Sequence, residues 1–173
     1  MMDRPVKAVP RPATIALLLL FAAARALPAA TANFSIQFIE PEHYADAEFD
    51  GRGPQARERA LKQIRAHLEG LAERHLEPGQ TLRIDVLDVD LAGRFEPWHL
   101  PLSDVRYLRE VTWPKMKLQY ELREGETTIL SAKENVSDQN YLMRPQLRMS
   151  TDPLKYDKAM LDDWFRSRFA AKK

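Results

Sequence analysis

A two-layer α+β fold follows from three observations: an amphipathic helix between two alternating strands, a clean antiparallel hairpin, and a second amphipathic helix near the carboxyl end. The expected order is β-α-β-β-β-α. The sheet is mainly antiparallel, and the two helices need one of its faces to cover their apolar stripes.

The first strand is read over 34–40, where Phe34, Ile36 and Phe38 alternate with Ser35 and Gln37 until Pro41 ends it. Residues 41–53 have turn character and close on Asp50, Gly51, Arg52 and Gly53. Pro54 suits the first helical position. Leu61, Ile64, Leu68 and Leu71 then recur at spacings of three and four, with charged residues on the opposite face. Arg74 and His75 complement the carboxyl end of the helix dipole, and Pro78-Gly79 stops the helix.

The second strand, over 81–91, changes phase. Leu82, Ile84 and Val86 alternate on one phase, and Leu87, Val89 and Leu91 on the other. A β-bulge near Val86 and Leu87 repairs this, and a twist that half-covers both faces is the alternative. Residues 92–113 show no period and hold Phe95, Trp98, Tyr107 and Trp113, with a short helix expected over 103–109. Met116, Leu118, Tyr120 and Leu122 mark the clearest strand, and Glu124-Gly125-Glu126 turns it into a partner over 127–136. A polar segment over 137–151 follows. Asp152 is the expected cap of the last helix, with Pro153 in its first turn. Leu154, Leu161, Trp164, Phe165 and Phe169 supply its buried side.

Ahead of this domain stands a leader. Residues 1–12 are basic and proline-rich, 13–24 are apolar, and Ala30 and Ala32 sit where a cut before Asn33 needs small residues. Twelve residues of helix reach only about 18 Å, against a hydrocarbon core of about 30 Å, so a spanning anchor fits poorly. The expectation is a cleavable signal peptide over 1–32 and one domain over 33–173, with a cut after Ala26 as the alternative. The general secretory route is expected, because no Arg-Arg pair is present. After cleavage no stable membrane insertion is expected.

The chain has 26 basic and 25 acidic residues. Taking away the leader's Arg4, Lys7, Arg11, Arg25 and Asp3 leaves 22 and 24, a net of −2. Such a balance does not hold nucleic acid by bulk electrostatics. There is no cysteine, which excludes thiol catalysis and cysteine-based zinc sites and suits an oxidising compartment. The sequence holds no G-x-S-x-G, H-E-x-x-H or phosphate-cradling glycine loop. No cofactor is expected.

Two groups of residues remain as candidates. Asp88 and Asp90 could reach one cation through oxygen ligands, although acids on the wet side of a strand explain them as well. Phe95, Trp98, Tyr107 and Trp113 could anchor a partner or stack on a sugar, or else pin a long loop to the core. Tyr141, Met143 and Arg144 form a second candidate surface.

The strings LRIDVLDVDLAGRFEPW, VSDQNYLMR and DPLKYDKAMLDDWFRSRF resemble, in this order, an exported bacterial family known as domain of unknown function 3016. The likeness covers about 34–169. It implies a bacterial origin and a periplasmic or secreted protein of one domain, and it carries over no catalytic or binding residue. The expectation is a non-catalytic binding module whose partner is an envelope protein or a glycan. A small hydrolase with grouped carboxylates and a divalent-metal-binding protein are the alternatives.

Overall fold

The computed structural model describes residues 33–96, 98 and 105–170, so the leader read over 1–32 lies outside the described residues. Four strands form the main sheet: β1 (Asn33–Phe38), β2 (Gln80–Asp90), β5 (Lys115–Glu124) and β6 (Thr127–Ser137), in the order β1-β2-β5-β6. Helix α1 (Pro54–His75) joins β1 to β2, and α2 (Lys155–Phe169) follows β6. Between β2 and β5 lies a small ribbon of β3 (Arg94–Phe95) and β4 (Arg106–Tyr107). The main sheet and its helices keep the order β-α-β-β-β-α.

β1 and β2 are parallel, which needs a long crossover that α1 supplies, and the other two pairings are antiparallel. Both helices cover one face. Leu61, Ile64, Leu68 and Leu71 of α1 and Leu161, Trp164, Phe165 and Phe169 of α2 pack on Ile36, Leu82, Ile84, Leu118, Tyr120 and Val136. Burying each such side chain stabilises the fold by roughly 1.5–3 kcal/mol. The other face is polar and exposed, with Thr81, Arg83, Lys117, Gln119, Ser131, Lys133 and Asn135.

The phase change in β2 is a bulge. Val86 pairs with Leu118 and Asp88 with Lys117, which leaves Leu87 as the extra residue and returns Val89 to the core. Helix α1 starts at Pro54, behind Gly53 at φ 94°. Helix α2 begins at Lys155 rather than directly after Asp152. Asp152 instead accepts the Leu154 N–H at 2.8 Å and caps the turn that leads into the helix.

The short helix expected over 103–109 does not form in the described part of that segment. Residues Arg106 and Tyr107 are extended and pair with β3. Two residues per strand show no period, so no alternation marked them in the sequence.

Candidate functional site

Two connected features lie at the end of the sheet where β2 stops and β5 begins. The first is an arginine knot at the base of the segment that joins β2 to β5. The second is a groove beside β6.

Arg106 is nearly buried and spends its guanidinium on one carboxylate and four backbone carbonyls. Its Nη1 and Nη2 donate to Asp46 Oδ1 and Oδ2 at 3.1 and 2.9 Å. The same side chain donates to Leu91 O at 3.1 Å, Ala92 O at 3.2 Å, Gly93 O at 2.7 Å and the Glu48 carbonyl. Only arginine carries five donors in one plane, so lysine could not replace this set. Asp46 is placed by an isolated bridge to Asp90, giving its N–H to Val89 O and taking the Leu91 N–H, each at 2.9 Å. Further along, the buried Glu96 accepts two bonds from Arg109, at 2.7 and 2.8 Å.

The aromatic residues singled out in the sequence have different positions around this knot. Phe95 is half-buried, with the Arg106 and Arg52 guanidinium carbons 5.1 and 5.5 Å from its ring. Tyr107 is half-buried in the ribbon, opposite Arg94. Trp113 packs against a small cluster of Ala92, Tyr141 and Tyr156, with Lys115 Nζ 5.5 Å from its ring. Tyr141 is fully buried, donates its hydroxyl to Arg109 O at 2.8 Å and meets Tyr156 edge-on. Burial pushes its hydroxyl up. Trp98 is the exposed member, at 72%. Trp113 and Tyr141 therefore tie the loop to the small cluster at its root, and Phe95 stacks on arginine outside both core clusters.

Arg144 leads to the groove. It bridges Asp138 of the segment after β6, at 2.7 Å, to Asp163 of α2. Burial opposes its charge, but the two carboxylates outweigh burial and hold its pKa above the usual arginine value. The groove has a volume of about 420 Å³. One wall is the unbroken run Glu134, Asn135, Val136, Ser137 and Asp138, and the other is a face of α2 with Met160, Asp163, Trp164, Ser167 and Arg168. At its far end Glu134 accepts Tyr120 Oη at 2.7 Å, Arg168 Nε at 3.0 Å and Trp164 Nε1 at 3.2 Å. Burial pushes the Glu134 carboxyl up, yet these donors outweigh it and hold the group below its ordinary value. The acids of the groove are thus occupied by arginine, tyrosine or indole.

Asp88 and Asp90 are less exposed than the wet side of a strand. Asp88 Oδ1 accepts the Ala45 and Val89 N–H groups, both at 2.9 Å. Asp90 is 7% exposed and pairs with Arg94 at 3.0 Å and Lys115 at 2.9 Å. Among the described residues no group of three or more His, Asp or Glu is placed to hold a metal ion. His67 and His75 line the contact between the helices: His67 Nε2 lies 2.9 Å from Asp162, and the His75 ring lies 5.9 Å from that of Phe165.

One acid that sequence reading passed over stands out. Asp157 on α2 is 1% exposed and accepts the Ala92 N–H at 3.0 Å, at the root of the loop. Burial pushes its carboxyl up to about 7, against the lowering effect of that bond and of Arg106. A signal was present: Asp157 lies on the same helical stripe as Leu154, Leu161 and Trp164, where an apolar residue is expected. It lines none of the described clefts.

Residues 32–167 match the family described as protein of unknown function DUF3016. The chain belongs to that family. In this DUF3016 chain the three resembling strings fall on β2 with the start of the loop, on the end of β6 with the turn that carries Arg144, and on α2. Together they supply three of the knot's four carbonyls, Glu96, the α2 wall of the groove and Val136, Ser137 and Asp138 of the other wall. No curated protein and no solved structure matches the chain.

Proposed function

We propose that this protein is a non-catalytic binding module of the bacterial envelope, exported through its leader, which meets a protein partner with the loop end of its sheet. One observation carries the reading. Of eight large apolar side chains left exposed among the described residues, six lie on two segments: Trp98, Val105, Leu108 and Val111 on one, Met143 and Met149 on the other. The Tyr141–Arg109 hydrogen bond and the small Ala92–Tyr141–Tyr156 cluster tie these segments together. Val111, Met143 and Met149 are 75%, 78% and 91% exposed, which costs solubility unless a partner covers them.

The chemistry of these side chains favours protein over glycan. Sugars stack on aromatic faces, and five of the six residues are aliphatic or methionine. Methionine adapts its shape to apolar surfaces and is frequent at protein-binding sites. The knot supports the same reading, because it fixes Arg106, beside Val105 and Leu108, to the end of β2 and so lowers the ordering cost of association there. Catalysis by grouped carboxylates finds less support: the groove acids are neutralised by their partners, and Asp157 is sealed away from the clefts.

The test is native mass spectrometry of protein isolated gently from its own host's envelope. Wild type should carry a partner chain. A variant with Val111→Asp, Met143→Asp and Met149→Asp should lose it, with each change altering stability by about 0.5 kcal/mol or less, as surface substitutions do. A partner retained by that variant, or a bare wild-type protein, overturns the reading.

A further inference from the structure

We propose that the groove between β6 and α2 takes an extended segment of a partner polypeptide, which adds to the free edge of β6 as a further strand. β6 is the last strand of the sheet. In an antiparallel ladder every second residue directs both its N–H and its C=O away from the neighbouring strand. Among the described residues, no side chain and no other strand hydrogen-bonds to the backbone of residues 134–137 on that outer side. A polypeptide in extended conformation presents matching donors and acceptors at the same two-residue repeat.

The edge is protected unevenly. Towards the hairpin it carries a bulge, with Leu122 opposite Leu130 and Arg123 opposite Thr128, so that Ile129 is the extra residue; Lys133 follows. Bulges and edge lysines are the usual guards against strand addition. The stretch from Glu134 to Ser137 has neither, and with Asp138 it forms the groove wall. These five residues extend about 17 Å, enough for a partner segment of similar length. A second copy of this chain is disfavoured, because its β6 laid antiparallel would match only residues 134–137 with themselves before running past the end of the strand.

The helix wall sets what the segment looks like. Val136, Met160 and Trp164 lie buried beneath the groove, and its open helix wall is set by the exposed Asp163, Ser167 and Arg168, so inward-facing side chains of the segment are small or polar at alternate positions. Outward-facing ones lie beside exposed Asn135 and Ser137 and are free to vary. The Arg168–Glu134 pair marks one end and the Arg144–Asp138 pair the other. Both are neutralised pairs, so the segment needs no particular charge and the backbone supplies most of the recognition. The groove adjoins the apolar loop end at Arg144 but uses different atoms, so either assignment can fail alone.

The probe is a random peptide library displayed on phage and selected on the purified protein. Selected peptides should shift NMR amide signals at 134–138 and at 163–168. N-methylation at alternate peptide amides should weaken binding by about tenfold, while methylation at the intervening amides leaves it unchanged. Ser167→Trp, which fills the groove from the helix side, should abolish binding with the melting temperature retained. The methylation series uses unaltered protein and so decides the matter even if that variant unfolds. Peptides that map elsewhere, a methylation series without alternation, a selection that yields no binder, or a β6-to-β6 dimer in solution each overturn the proposal.

Discussion

Removing the charge of Asp157 tests how the loop root is held. The carboxyl titrates at about 7 in the fold and near 3.8 when unfolded. The folded protein therefore holds this proton more tightly than the unfolded chain. Stability from this group is greatest in acid, falls as pH rises from the unfolded value towards the folded one, and levels off above about 7. Each unit between the two values is worth about 1.4 kcal/mol, so wild type should lose about 3 kcal/mol between about pH 5 and pH 8.5. Asp50, Glu134, Asp152 and Asp163 are held below their ordinary values, and their contribution is lost only on the acid side, as pH falls through the folded values. They do not mask the effect in this window. Asp157→Asn keeps an acceptor for the Ala92 N–H and removes the buried charge. Urea unfolding at the two pH values should show the loss in wild type and little of it in the variant. An equal pH dependence in both proteins refutes the assignment.

Other variants test the loop and the acids by the same assay. Gly93→Ala should cost about 2–4 kcal/mol, from left-handed backbone and overpacking together. Gly93 has φ 81°, and an added Cβ would lie 2.8 Å from the Tyr107 carbonyl oxygen, which cannot move aside. Arg106→Ala should cost about 3–5 kcal/mol, because it strands four carbonyls and leaves Asp46 with the more distant, half-exposed Arg94, and Arg106→Lys should rescue little of that. Asp90→Ala should cost about 1–2 kcal/mol rather than the near-zero expected of a solvated acid, since Arg94 and Lys115 are half-exposed and can rehydrate.

The legible parts of the fold were those with a period. The stripe at Leu61, Ile64, Leu68 and Leu71 and the alternation from Met116 to Leu122 both lie in the core. The phase change at Val86 and Leu87 announced its bulge because one slipped residue would turn every later side chain outward. The parallel pairing of β1 with β2 left no local trace, since pairing partners are set by the crossover and not by either strand. The knot was hidden for a similar reason. Arg106 and Asp46 are 60 residues apart, and neither is unusual in its own neighbourhood. The aromatic loop drew attention by composition, yet Trp113 packs on the small cluster with Tyr141 and Phe95 stacks on Arg106, while plainer residues such as Val111 and Met149 are as exposed as Trp98 or more so. Exposure depends on which loop packs over which, and composition does not encode that.

Site-specific photo-crosslinking in the living host bears most directly on the account. A photoreactive residue placed at Met143, at Val111 or at Ile129 reports what lies against each position. Ile129 is also exposed but sits on the hairpin, away from the loop end. The account predicts one and the same envelope protein crosslinked from Met143 and Val111, and none of it from Ile129. Crosslinks that are equal at all three positions, or absent from the loop end, contradict it.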